Sequence, residues 1–486
     1  MPEKTDAATA EKTELKKYQP LVYLTAFTAA LAGLLFGLDV GVISGALAFI
    51  ARAFSASTLE QEWVVSSLLW GAVAGTLISG VISRRYGRRT TLLLAAAVFA
   101  LGSILSMLAQ SAGILIGCRV FLGLAVGMAS FTAPLYLSEI APARIRGALI
   151  SMYQLMITIG IVLAFLSDTF FASYFKFHGV TGGHWRIMLG ILVVPATVMF
   201  IGVFFLPESP RWLFLKGRKQ EAGRVLARVR ADGEEIARET AEIAAELEQE
   251  NAGWRMFRRN GNFRRAVFLG IGLQVVQQLT GINVVMYYAP RIFQAAGFAD
   301  TAEQMWGTVL VGVVNVLATF IAIAFVDRWG RKPIMYTGFL VMGVSMCVVG
   351  LAMPPAAPLA AGEVPVRAFI SIAALLTFII GFAASAGPII WVICSEIYPL
   401  AGRDFGITCS TATNWIVNGV VGLTFLSLLE GIGPRATFLL YGGLEAVFII
   451  FFLLWVPETK DVSLEKISAN LLAGKKLREI GRGRGT

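Results

Sequence analysis

The sequence predicts an all-α membrane protein: twelve transmembrane helices in two six-helix halves, with a helical insert between them on one face. Three observations carry this expectation. Of the 486 residues, 56% are hydrophobic and only 15% are charged, with a mean hydropathy of +0.71; a soluble chain carries about 25% charge. Apolar runs of about 20 residues recur along the whole length, each long enough to cross a bilayer as a helix. Three short polar motifs also occur twice, in the same order. A membrane β-barrel would instead need short segments of alternating polarity.

The elements follow in order. Residues 1–20 are a polar tail of mixed charge, without the basic start, short apolar core and small-residue cleavage site of a signal peptide. The first half, 21–206, holds spans near 21–50, 62–83, 90–109, 113–137, 148–170 and 186–206. Residues 207–264 form the polar insert. Its stretch KQEAGRVLARVRADGEEIARETAEIAAELEQE interleaves charges of both signs, the pattern of short solvated amphipathic helices. The second half, 265–456, holds spans near 265–289, 303–325, 334–353, 366–394, 406–428 and 435–456. Residues 457–486 close the chain as a second polar tail.

Charge fixes the orientation. Of the 41 Lys and Arg, 34 fall in the two tails or at the ends of even-numbered spans. Six lie opposite: Arg52, Lys176, Arg186, Arg291, Arg367 and Arg435. Arg119 alone is inside a span. The positive-inside rule then puts both termini in the cytoplasm. The net charge of +10 is therefore a topology signal spread over loops. It is not the gathered basic surface of a nucleic-acid binder. Cys118, Cys347, Cys394 and Cys409 all sit in spans, and His178 and His184 follow span 5. Neither set has metal-ligand or disulfide spacing, so no cofactor or metal is expected.

The duplicated motifs define the halves. RRYGRR at 84–89 matches DRWGRK at 327–332, SEIAPARIRG at 138–147 matches SEIYPLAGRD at 395–404, and PESPR at 207–211 matches PETK at 457–460. The offsets are 243, 257 and 250 residues, and the copies follow spans two, four and six of each half. Such repeats are built into transporters whose halves rock about a central site. With these motifs, the stretches GLLFGLDVGVISGALAFI, FTAPLYLSEIAP, ISMYQLMITIGI, QQLTGINVVMYYAPRIF and CSEIYPLAGRDFGITCSTATNW resemble the sugar porter family of the major facilitator superfamily. Within it they are most similar to the bacterial galactose–proton and arabinose–proton symporters. The likeness spans nearly the whole chain.

Two charges lie far from any membrane surface, Asp39 in span 1 and Arg119 in span 4. Either alone would be costly in hydrocarbon, so the two are driven to pair. Burial raises a carboxylate's proton affinity and a nearby guanidinium lowers it, so a pair that makes and breaks can load and release a proton. The alternative is a permanent structural ion pair. Gly33, Gly37, Gly41 and Gly45 repeat every four residues as a close-packing seam, and Asp39 points away from it. The resemblance implies that Asp39 is the proton acceptor and Arg119 its partner.

Amide side chains both donate and accept, as sugar hydroxyls do. The spans hold Gln154, Gln277, Gln278, Asn283, Asn315, Asn414 and Asn418, with Trp391 just after a Gly-Pro pair that suggests a broken helix in span 10. Each amide alone could equally be interhelical glue. The resemblance implies that Gln154, Gln277, Gln278, Asn283, Trp391 and Asn414 line the sugar site, with Asn315 a further candidate. Tyr287 and Tyr288, one turn beyond Asn283, look like an outer gate, with simple packing as the alternative. At the inner ends of the spans, Glu139, Arg146, Glu208, Asp327, Arg331, Glu396, Arg403 and Glu458 form the expected inner gate, a latch between halves. Arg84 stands in the first copy where the second has Asp327, which removes the acid's contacts from that copy.

The implied function is import of a neutral monosaccharide by proton symport, in the bacterial inner membrane, by a monomer with no nucleic-acid partner. A passive sugar uniporter is the rival within transport. A membrane enzyme would need a nucleophile–base set, a metal cluster or paired carboxylates near a surface, and the sequence offers none. The sequence does not choose between galactose, glucose, arabinose and xylose.

Overall fold

The computed structural model describes residues 20–142, 146–177, 184–230, 233, 236–237, 240–241, 253–298, 300–353, 366–460 and 462–481. The first half comprises span 1 (Pro20–Phe54), span 2 (Thr58–Tyr86), span 3 (Arg88–Met107), span 4 (Ala112–Ile140), span 5 (Arg146–Phe177) and span 6, made of His184–Gly190 and Val193–Phe204. The second comprises span 7, made of Gly261–Leu279 and Ile282–Ala296, and span 8 (Thr301–Trp329). It continues with span 9 (Arg331–Ala352), span 10 (Val366–Ala384 and Ala386–Ile397), span 11 (Arg403–Gly431) and span 12 (Gly433–Trp455). Among the described residues, eleven of these spans are long and apolar enough to cross a membrane. Span 8 is the twelfth, a 29-residue helix whose side chains at 321–328 lie outside the described residues. The helices Pro210–Leu215, Lys219–Val229 and Gly253–Arg259 occupy the insert, and Leu464–Leu472 follows span 12. Most of 231–252 lies outside the described residues, as does His178.

Helix starts follow local chemistry. Span 2 opens on a capping box in which Ser57 and Glu60 satisfy each other's backbone N–H groups, and span 7 opens on the Asn260 side chain. The joints between spans 2 and 3 and between spans 8 and 9 are single glycines, Gly87 at φ +103° and Gly330 at φ +89°. Only a residue without Cβ takes that turn cheaply.

The glycine seam of span 1 packs against span 5. A Cβ at Gly37 would lie 1.9 Å from the Ile157 carbonyl oxygen, so only glycine permits this approach. Across the halves, span 2 packs on span 11, span 5 on span 8 and span 1 on the second part of span 7. Phe36 and Trp415 meet edge to face there, 5.3 Å apart.

Span 10 breaks at Ser385, beside the Gly-Pro pair that suggested a break. Span 7 breaks as well, at Gly281 (φ +88°), where the sequence reading had one continuous helix. Apolar periodicity runs unbroken through LTGIN, so the break depends on the glycine conformation, which hydropathy does not register.

Candidate functional site

The centre of the first half is an ion pair. Asp39 and Arg119 are 1% and 2% exposed, on spans 1 and 4. Both guanidinium Nη atoms donate to the carboxylate, at 3.4 and 3.3 Å, and Nε has no partner. Charge-assisted pairs of this kind normally close to about 2.7–2.9 Å. The pair is engaged but loose. Tyr287 of span 7 lies close enough to feel both charges.

The centre of the second half is an amide network. Asn414 Nδ2 donates to Gln274 Oε1 at 2.7 Å and to Gln277 Oε1 at 2.8 Å. Gln277 Nε2 donates to the carbonyls of Ala386 and Gly387, beside the break in span 10, at 2.9 and 3.1 Å. Gln278 donates to Gln277 at 3.5 Å, and Asn283 donates to Gln278. Asn418 donates to the Tyr287 hydroxyl at 3.2 Å. Four expected residues, Gln277, Gln278, Asn283 and Asn414, are thus brought together. Gln274 joins them unexpectedly; its signal was the spacing of 274, 277 and 278, which puts three amides on one helical face.

The remaining expected residues are placed differently. Gln154 is exposed although it lies within span 5, and Trp391, in the second part of span 10, is 36% exposed. Asn315 is buried on span 8, and no described hydrogen bond joins its amide to the network. Tyr287 and Tyr288 are both buried; Tyr288 donates to the Gly422 carbonyl at 2.7 Å and stacks on Phe425. Asp168 on span 5, beside Gly45 of span 1, and Glu445 on span 12 are further buried carboxyls. The sequence reading passed over both, and neither touches the central groups.

At the face where span 1 begins and span 12 ends, the duplicated motifs fold into the same cluster twice. Arg88 opens span 3 and makes a bidentate pair with Glu139 at the end of span 4, at 2.9 and 2.8 Å. Arg331 opens span 9 and pairs with Glu396 of span 10 at 2.9 Å. Glu208 accepts the backbone N–H groups of Arg88, Arg89 and Ser209, and Glu458 accepts those of Arg331, Lys332, Thr459 and Lys460. Each carboxylate therefore caps a helix whose first N–H groups would otherwise lack partners. Burial pushes the Glu208 carboxyl above its usual range, against three backbone N–H groups that hold it back. Burial acts on Glu458 too, but four N–H groups outweigh it and hold that carboxyl below its usual range.

Glu139, Glu208, Glu396 and Glu458 bind partners in their own half, so they are not latched across the halves in this conformation. Arg403 opens span 11, half-buried. The side chains of Arg146 and Asp327 lie outside the described residues.

The halves are joined at the opposite face. Glu62 of span 2 is fully buried and accepts the N–H and hydroxyl of Ser427 on span 11, both at 2.7 Å. Thr58 donates to Glu430, and Arg291 donates to Gln61 at 2.8 Å. No motif marked this clasp, because its members are separated by 230 to 372 residues.

The chain matches the family model described as "Sugar (and other) transporter" over residues 25–471. It is 56% identical to the galactose-proton symporter of Escherichia coli K12 over 97% of this chain and 98% of that protein. It is 51% identical to the arabinose-proton symporter of the same strain, over 93% and 94%. Among solved structures it resembles the xylose transporter XylE from E. coli in a partially occluded inward-open conformation. The TM-score there is 0.78 at 29% identity, covering 91% of this chain and 99% of that one. It also resembles XylE, a major facilitator superfamily proton:xylose symporter, bound to 6-bromo-6-deoxy-D-glucose, with a TM-score of 0.76 at 31% identity, over 92% and 98%. The protein is a multi-pass membrane transporter, not an enzyme, and it belongs to the sugar transporter family of the major facilitator superfamily.

Proposed function

We propose that the protein imports a neutral monosaccharide of the galactose, glucose or arabinose type together with a proton, by alternating access across the bacterial inner membrane. The observation that carries this reading is the division of the centre. A loose buried ion pair, Asp39–Arg119, lies in one half and a continuous amide network in the other, with Tyr287, bonded to Asn418, near enough to feel both charges of the pair.

Asp39 takes the proton. Protonation removes the carboxylate charge that holds Arg119 and frees spans 1 and 4 to move relative to each other. Gln277, Gln278, Asn283 and Asn414, with Gln274, offer paired donors and acceptors to sugar hydroxyls, and exchange their mutual hydrogen bonds for the ligand's. Gln154 and Trp391, exposed inside spans, complete the site from the open side, and Asn315 is its outermost member. Tyr287 and Tyr288 gate the outer approach. The Lys and Arg bias places the chain ends in the cytoplasm. The face joined by Glu62 and Ser427 is then the outer one, and this conformation is inward-facing. The duplicated clusters around Glu139, Arg331, Glu396 and Glu458, with Arg146, Glu208, Asp327 and Arg403, exchange their partners for others across the halves when the inner side closes. The protein works as a monomer in the bilayer and needs no cofactor.

The energetics suffice. One charge crossing 100 mV and one pH unit together supply on the order of 3.7 kcal/mol, enough for a sugar gradient of several hundredfold.

The test uses purified protein in liposomes with a pH dye inside, voltage clamped by potassium and valinomycin. D-galactose, D-glucose, L-arabinose and D-xylose are added outside one at a time. Acidification of the lumen by one of them identifies the substrate and the coupling. Entry of labelled sugar with no pH change favours the passive uniporter.

A further inference from the structure

A cavity of about 660 Å³ opens on the flank of the second half, where span 7 begins, span 12 ends and the chain returns after Leu464–Leu472. Its wall is apolar: Phe268, Phe451, Leu454 and Trp455 face it, and Phe268 and Trp455 are 62% and 48% exposed. Phe451 and Trp455 pack ring to ring at 5.4 Å. Its lip is cationic, formed by Arg265, Lys476 and Arg478. The lip is held in place. Arg265 donates to Asn262 Oδ1 at 3.2 Å and to the Lys475 carbonyl at 3.1 Å. Asn470 donates to the Ile480 carbonyl at 2.8 Å, closing the returning segment on itself. One acid, Glu479, sits beside the lip, 3.6 Å from Arg478 in a half-exposed pair worth little in water.

We propose that this cavity is a binding site for one anionic glycerophospholipid. The phosphate sits on the lip of Arg265, Lys476 and Arg478, and an acyl chain lies along Phe268, Phe451 and Trp455. The chemistry has two parts, and neither alone would select this ligand. An exposed aromatic wall at the end of two spans lies at the depth where aromatic side chains meet headgroups. Three cations against one acid leave an excess that a zwitterionic headgroup does not satisfy and an anionic one does. The wall also distinguishes a lipid from a free anion, since inorganic phosphate gains nothing from apolar contact.

Native mass spectrometry of the full-length, delipidated protein in detergent tests this, with phosphatidylglycerol and phosphatidylcholine of matched chains titrated in parallel. The expected result is retention of one phosphatidylglycerol at least fivefold over phosphatidylcholine, lost in Lys476→Ala/Arg478→Ala and unaffected by millimolar inorganic phosphate. Glu479→Lys, which removes the acid beside the lip, should retain more phosphatidylglycerol than the parent, and this gain does not depend on a variant that folds poorly. Equal retention of the two lipids, an unchanged Glu479→Lys, or displacement by inorganic phosphate would overturn the proposal.

Discussion

The two halves share one scaffold and differ at the centre. In the first half, spans 1 and 4 run unbroken through the membrane and carry the charges Asp39 and Arg119. In the second, the equivalent spans 7 and 10 are each broken, at Gly281 and Ser385; span 7 carries amides, and span 10 offers them backbone carbonyls. The difference follows from what each group needs. A buried ion pair needs one partner and a rigid frame, since its energy falls off with a poorly held distance. Amides that must let go of one another and take up a ligand need spare acceptors nearby. Breaking span 10 brings the Ala386 and Gly387 carbonyls within reach of Gln277. At the terminal face, by contrast, the halves have stayed alike, with an Arg–Glu pair and a carboxylate-capped helix in each.

The sharpest way to break this division is Asp39→Asn. Accumulation of sugar against a gradient should be abolished while exchange of labelled for unlabelled sugar persists, as measured by uptake and counterflow in the same vesicles. Active accumulation at the parental level would return Asp39–Arg119 to a structural pair. On the other half, Gln277→Ala removes bonds to Asn414 and to span 10, and Gln278→Ala one to Asn283. Each should raise the half-saturation concentration roughly 10- to 100-fold, as expected for about 1.4–3 kcal/mol of buried hydrogen bonding. The proton coupling of transported sugar should stay unchanged. A shift in coupling without a shift in affinity would mean that the halves do not divide the work as drawn.

The boundary between the halves is tested by Glu62→Ala, which removes both bonds to Ser427. The conformational equilibrium should move away from the inward-facing state by about 1–3 kcal/mol. Spin labels on L59C and I432C should then report a longer separation across the far face; an unchanged distance distribution would show that the clasp does not hold that face. The smallest effect compares the duplicated caps. Ionisation is disfavoured at Glu208 and favoured at Glu458. Replacing the carboxylate by an amide should therefore lower the melting temperature more for Glu458→Gln than for Glu208→Gln, in thermal scans at neutral pH. The reverse order would mean that burial, and not the count of N–H donors, decides these sites.

Much of the centre was legible because membrane burial makes isolated polar residues conspicuous. Asp39 and Arg119 stood out against uncharged runs, and their pairing followed from cost alone. Gln277, Gln278, Asn283 and Asn414 stood out for the same reason. Gln274 joins them only through its spacing from Gln277 and Gln278, which puts the three amides on one helical face. The inner-gate residues stand out as a set through the repeat, and the contacts of this conformation lie within each half. The repeat shows which residues correspond, not whether Arg88 turns to Glu139 in its own half or to an acid across the interface. That choice belongs to one state of a moving molecule.

Sequence by itself determined the twelve spans, the two halves and the two kinds of polar centre, because each rests on hydropathy, isolated polar residues or repetition, and these can be read along the chain. The tertiary structure alone decided the break at Gly281, the cap that Glu208 and Glu458 place on helices over a hundred residues away, and the clasp of Glu62 on Ser427, 365 residues apart. Each depends on which helices come into contact. Helix contact in a bilayer is set by close packing of small residues and by pairing of polar groups; a seam such as Gly33, Gly37, Gly41 and Gly45 marks a packing face in the sequence, but not the helix that meets it.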